Sequence, residues 1–264
     1  MSELEKSGSA PGEGAPAGGN GSPAGGIPPK MGFGAKLINI FVEPSAVFKN
    51  IYYYNDWLTP LIIIGVVTIV SSLLMAGYSA DAQSQFRELM GAPKQPAVET
   101  ATRITQYVTA FLSPAGILVR WLISAAIIFV LGTFLLDNID FKKLYSIVAW
   151  CSMPTLFTTL INGIYRMNQT PLVSSYDDYM DAMTPWSLSP SLFIHDAGMW
   201  GMLLSGFDVF TLWSWYLLAL GLAYGLRNRI GKAWTVVIVT ILIGLAIGAG
   251  ILYLSTSVLR PKGM

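Results

Sequence analysis

Four side chains able to hydrogen-bond stand at helical spacing inside an otherwise apolar stretch. Ser152, Thr155, Thr159 and Asn162 fall at i, i+3, i+7 and i+10, which places all four on one face of a helix. They can hydrogen-bond to neighbouring helices, at about 0.6–2 kcal/mol per contact, or they can line a polar path through a membrane. Pro154 in the same run has no N–H, so the carbonyl of Trp150 loses its helical donor and needs another partner. His195-Asp196 resembles a fragment of a catalytic dyad, but no nucleophile elbow, HExxH or Gly-rich phosphate loop accompanies it. With one histidine and one cysteine, Cys151, neither a disulfide framework nor a His/Cys metal set is expected. The expectation is a non-enzymatic protein with no catalytic, cofactor-binding or metal-binding residues.

Charged residues inside apolar runs mark ion or proton pathways, because each costs at least a few kcal/mol at the membrane midplane. Here Arg120 is the exception, about one turn inside its run, where it can snorkel to the interface. Asp137 and Asp140 fall in a turn. An ion-coupled transporter with its own carboxylate site is therefore disfavoured. The composition, 53% hydrophobic and 12% charged with a mean hydropathy of +0.54, cannot make a water-soluble surface. A net charge of +1 excludes a broad nucleic-acid-binding face.

The elements that must position these residues are helices. Residues 1–30 form a Gly/Pro/Ala-rich tail expected to be disordered, with no apolar core of a signal peptide, so the first hydrophobic helix is expected to act as an uncleaved insertion signal. Residues 31–57 read as an interfacial amphipathic segment: Leu37, Ile40, Phe41, Val47, Phe48 and Ile51 recur at helical spacing around Glu43-Pro44. Tyr52, Tyr53, Tyr54 and Trp57 suit headgroup level. Five apolar runs, 58–78, 117–136, 144–165, 207–226 and 234–254, reach the roughly 20 residues that a span needs, and 255–264 is a short C-terminal tail. Asp56 can cap the first span and Ser205 with Asp208 can start the fourth. The fold class expected is all-α, an integral membrane five-helix bundle with interfacial amphipathic helices.

Gly221-xxx-Gly225 and Gly244-xxx-Gly248, with Ala246-xxx-Gly250 beside it, allow close backbone approach, within the bundle or between copies. Val98, Ala101, Ile104, Val108 and Phe111 share one face of a second amphipathic helix, expected on the outer leaflet. The 166–206 loop sets Asp177, Asp178, Asp181 and Asp196 among Tyr176, Tyr179, Trp186, Phe193 and Trp200, a mixture that suits a partner surface or an aromatic belt with solvated acids. Asn168-Gln169-Thr170 is a glycosylation sequon of low information.

Basic residues cluster at 137–143 and 227–233 and before the first span, at Lys30, Lys36 and Lys49. That side is expected to be cytoplasmic. An odd number of spans then puts the C-terminus outside, against which Arg260 and Lys262 are a mild contradiction.

Three stretches resemble the Yip1-domain family of polytopic membrane proteins in its prokaryotic form. They are Phe41-Val42-Glu43-Pro44-Ser45-Ala46-Val47-Phe48-Lys49-Asn50-Ile51 with Trp57-Leu58-Thr59-Pro60; Phe141 through Tyr145, Ala149 and Pro154; and Phe207-Asp208-Val209-Phe210-Thr211-Leu212-Trp213 through Leu217 and Gly221 to Gly231-Lys232-Ala233. The resemblance runs from about residue 37 to 254. It implies five helices, a cytoplasmic N-terminus and a C-terminus on the far side. Eukaryotic members act in vesicle traffic with small GTPases, but the Gly/Ala-rich tail here offers no folded GTPase-binding element, and the long 166–206 loop departs from their pattern.

The functional expectation is a scaffold or accessory subunit of a membrane complex, with the lipid bilayer, a membrane-protein partner or a second copy as partners and no nucleic acid. It would reside in a prokaryotic cell membrane, or in Golgi or ER membrane in a eukaryote. The alternative is a small permease or lipid-moving protein using the polar face of helix three. A GTPase-recruiting trafficking factor has the least support.

Overall fold

The computed structural model describes residues 27–190, Leu204 and 206–259. The expected disordered tail falls mostly on residues 1–26; these, with His195, Asp196, Phe193, Trp200, Ser205 and 260–264, lie outside the described residues. Among the described residues every regular element is helical.

The chain opens with α1 (Phe33–Val42) and α2 (Pro44–Tyr53), separated at Glu43, where Pro44 takes the first position of the new helix. These helices do more than lie flat. Ile40, Val47, Phe48 and Ile51 are fully buried in the main core, so one face of the amphipathic segment is docked into the bundle.

Two long helices follow, α3 (Leu58–Leu89) and α4 (Pro96–Leu135). At 1.5 Å per residue they are about 48 and 60 Å long, against roughly 30 Å of hydrocarbon. The expected run 58–78 is thus the first part of a longer helix, and the amphipathic stretch 98–111 is continuous with the run 117–136. A tight turn at Gly91, with φ +78°, joins them. Pro114 sits inside α4 without ending it, for two local reasons. The hydroxyl of Ser113 donates to the Ala110 carbonyl at 2.7 Å, the group that Pro114 leaves without a donor. Opposite the proline ring is Gly65 of α3, where even a Cβ would lie 3.5 Å from it.

The run 144–165 is two helices, α5 (Phe141–Cys151) and α6 (Thr155–Met167), bent by 40° at the break. Pro154 explains it. The Trp150 carbonyl accepts instead from the Met153 N–H at 3.2 Å, and the N–H groups of Thr155, Leu156 and Phe157 likewise reach back three residues, which tightens the chain and turns it. After α7 (Tyr176–Met183), α8 runs from Val209 to Leu220 and ends in a π-helical turn, Gly221–Gly225. The Asp208 side chain caps α8 by accepting from Thr211 N at 2.7 Å. The last helix is α9 (Ile230–Leu259).

By length and apolarity α3, α4 and α9 can each cross a membrane, and the bent pair α5–α6 makes a fourth candidate; Val209–Gly225 is apolar but shorter. The main core lies where α1, α2, α4, α5, α8 and α9 meet, around Trp121 and Trp150. A smaller core of Ala82, Val173 and Ala182 lies at the opposite end of α3. The first of these ends carries the clustered lysines and arginines and is called the basic end below; the other is the far end.

Candidate functional site

The polar residues of the 144–165 run divide at the break between α5 and α6. Ser152 lies on the α5 side and donates to Val148 O at 3.0 Å, while Thr155 and Thr159 donate to Ser152 O at 2.7 Å and Thr155 O at 2.9 Å. Each hydroxyl is thus satisfied by a carbonyl three or four residues back in the chain, Thr155 reaching across the break.

Asn162 is different. Its Nδ2 donates to Thr158 O and, across space, to Trp186 O at 2.7 Å, and its Oδ1 accepts from Trp186 N at 2.6 Å. Both hydrogen-bonding groups of one backbone residue are held by one buried carboxamide. One turn later on α6, buried Arg166 donates to the carbonyls of Ala182, Asp181 and Thr184 and packs its guanidinium 4.7 Å from the Tyr78 ring. Gln85 of α3 repeats the arrangement, donating to Pro171 O and accepting from Val173 N, both at 2.9 Å. Three side chains therefore fix the 171–187 segment to α3 and α6. Sequence reading found Asn162 but assigned no role to Gln85 or Arg166; the signal available was a lone arginine one helical turn after a lone asparagine at the end of an apolar run.

This fixed segment presents the acidic and aromatic residues singled out from sequence. Asp177 is exposed. The hydroxyl and backbone N–H of Ser174 donate to the Asp178 carboxylate and hold its pKa below the usual carboxylate range. Tyr179 stacks on Phe86 with centroids 4.1 Å apart, and the Trp186 ring lies 6.0 Å from that of Tyr165.

The glycine pairs also separate. A Cβ on Gly221 would fall 2.3 Å from Ile147 Cγ2 and 3.2 Å from the Phe48 ring, and one on Gly225 would fall 2.7 Å from Ile147 Cδ1. These two make room for α2 and α5 within the chain. Gly244 and Gly248 meet nothing within 4 Å at that position. Gly163, which sequence reading passed over, sets α6 against α3, with Ser71 3.0 Å from its notional Cβ.

At the basic end, buried Lys36 donates to Asp56 Oδ2 at 2.6 Å, and Trp150 Nε1 donates to Asp56 O at 2.6 Å. Burial pushes the Asp56 pKa up, but the Lys36 and Thr59 hydrogen bonds and the Lys36 charge outweigh it and leave the pKa lowered. The N-cap of α3 is Trp57 rather than the expected Asp56, but the Asp56 side chain accepts from Thr59 N in the first turn at 3.3 Å and ties α1 to α5 as well. Trp57 is partly exposed beside Tyr145, at 5.9 Å between centroids. Arg120 is exposed on α4. Among α4, α5, α8 and α9 lies a cavity of about 360 Å³ that includes Ser124, Ser152, Ser214 and Thr240 in an otherwise largely apolar lining.

Comparison with known proteins places the chain in a family. It is 25% identical over 224 residues to the Bacillus subtilis membrane protein YknW, covering 82% of this chain and 90% of that one. No solved structure matches. The Yip1 domain family model matches residues 38–254, from the middle of α1 into α9, and the chain therefore belongs to the Yip1 family of membrane proteins.

Proposed function

We propose that this protein is a non-enzymatic scaffold or accessory subunit of a membrane complex, crossing the membrane five times. In this reading α8 with its π-helical turn is the short fifth span, the basic end is cytoplasmic and the segment after α6 lies outside. The observation that carries it is the fixing of the 171–187 segment by Asn162, Arg166 and Gln85. A connection held by three buried or half-buried side chains keeps one shape, and a preformed surface loses less entropy when it meets a partner. The hydroxyls of Thr155 and Thr159, bonded to carbonyls three and four residues back in the chain, leave little for a solute to use.

The test is crosslinking in native nanodiscs followed by purification of the full chain beside an Asp177→Lys/Trp186→Ala variant. A partner, or a differently tagged second copy, recovered in fixed ratio with the parent chain and lost with the variant supports the reading. Recovery of the chain alone, with and without crosslinking, refutes it.

A permease or lipid-moving role has one observation in its favour, the cavity lined by Ser152. Thr155, Thr159 and Asn162 are not in its lining, so the variant that tests it is Ser152→Val in proteoliposomes. Flux that this variant abolishes supports transport; no flux by the parent chain across a broad lipid and solute panel ends it.

A further inference from the structure

At the basic end, α2, the turn between α4 and α5, and the π-helical turn enclose two adjoining cavities of about 670 and 360 Å³. Tyr52 and Arg227 line both, Lys49 joins them in the larger and Lys143 in the smaller. The Lys143 ammonium is 3.9 Å, and the Arg227 guanidinium carbon 4.0 Å, from the centroid of the same Tyr52 ring. Arg227 also donates to Tyr53 Oη at 2.7 Å, and Lys49 lies 5.4 Å from the Tyr224 ring.

Two cations gathered on one ring stand at most about 8 Å apart, where like charges repel. None of the ion pairs among the described residues includes Lys49, Lys143 or Arg227. The acids at hand are engaged. Asp137 pairs with Lys232, and Asp140, which caps α5 by accepting from Lys143 N, keeps its charge in the smaller cavity, where one carboxylate stands against two cations.

The backbone adds a second observation. Arg227, at φ +57°, is the one non-glycine residue in the left-handed region among the described residues. It follows the end of the π-helical turn, a place where glycine is favoured. An arginine held there against its backbone preference aims its side chain across Tyr52, and strain of this kind gathers at functional sites.

We propose that Arg227, Lys143 and Lys49 form a binding site for an anionic phosphate group, carried by a phospholipid or free in solution. Guanidinium and ammonium donors on an aromatic floor match a phosphate's oxygens and charge, and basic pockets among helices at a membrane face take lipid headgroups. The proposal stands apart from the scaffold reading and does not need a protein partner.

Native mass spectrometry of the full chain tests it, with phosphatidylglycerol, net-neutral phosphatidylcholine, or inorganic phosphate as the added probe. Phosphatidylglycerol should be retained in preference to phosphatidylcholine, and Arg227→Gln/Lys143→Gln should weaken retention at least tenfold. The charge-matched Arg229→Gln/Lys142→Gln, outside both cavities, should change it less than twofold. Inorganic phosphate binding on its own would identify a soluble ligand, and binding of the lipid alone a headgroup site. Lys143→Gln by itself, checked by thermal midpoint, separates lost binding from lost folding. Equal losses in the two double variants, or equal retention of both lipids with no inorganic phosphate bound, would overturn the proposal.

Discussion

Replacing Asn162 with leucine separates a structural from a transport role for the polar face of helix three. The side chain is nearly isosteric, so the change removes hydrogen bonds with little change of volume. It strands Trp186 N and O, which Asn162 holds at 2.6 and 2.7 Å. A buried polar group deprived of its partner costs about 1–3 kcal/mol, while interhelical hydrogen bonds measured in membranes lie nearer 0.6–1.7 kcal/mol. Trp186 is half-buried, which favours the lower figures, so two stranded groups total about 2 kcal/mol. At 1.4 kcal/mol per factor of ten, release of the 184–187 segment should become roughly 30-fold more frequent. Hydrogen exchange of the Trp186 and Ser187 amides in nanodiscs reads this directly. Thr159→Val is the control: its hydroxyl bonds only to Thr155 O, and its exchange should match the parent protein. Equal exchange in both variants, or an unchanged Trp186 amide in Asn162→Leu, would refute the argument.

Gly221→Val should destabilise the protein by about 1–3 kcal/mol or more through overpacking against Ile147 and Phe48, whereas Gly244→Ala, with open space at its Cβ, should leave the thermal midpoint within a degree or two. Asp56→Asn leaves Lys36 buried without its counter-charge, which costs about 3–5 kcal/mol and should raise proteolysis within α1. For pH the sign follows from the lowered Asp56 pKa: the stabilisation is present above the unfolded carboxylate's value of about 3.9 and is lost as pH falls through the lower folded value. Docking of α1, followed by Trp150 fluorescence, should therefore hold at neutral pH and weaken only below about pH 4.

What the sequence carried best was helix location and the buried faces, because apolar periodicity is a local property. Val47, Phe48 and Ile51 were marked by spacing alone and are fully buried. Helix length was less legible. The stretch 79–89 is too polar to be read as part of a span, yet α3 continues through it because Phe86 and Tyr78 pack on the segment that follows α6. The two prolines show the same limit. Pro114 is accommodated by the adjacent Ser113 and by Gly65 of another helix, whereas Pro154 breaks its run, and of these neighbours Gly65 is distant in sequence. Likewise Lys36 and Asp56 are twenty residues apart, and nothing local pairs them. Of the polar face, Asn162 alone bonds to a residue distant in the chain, and its partner is a backbone group that no side-chain pattern could have marked.

The break at Ser152–Pro154 has a consequence for how such a chain can diverge. It places α6, the far part of α3 and the segment they hold on one side of a joint, and α5 with the packed tryptophans on the other. A change in the length or composition of the 171–187 segment meets α6 and the far part of α3 first, and reaches the packing around Trp150 only across the break or along the length of α3. The far end can thus be respecified with less disturbance to the basic end than the reverse.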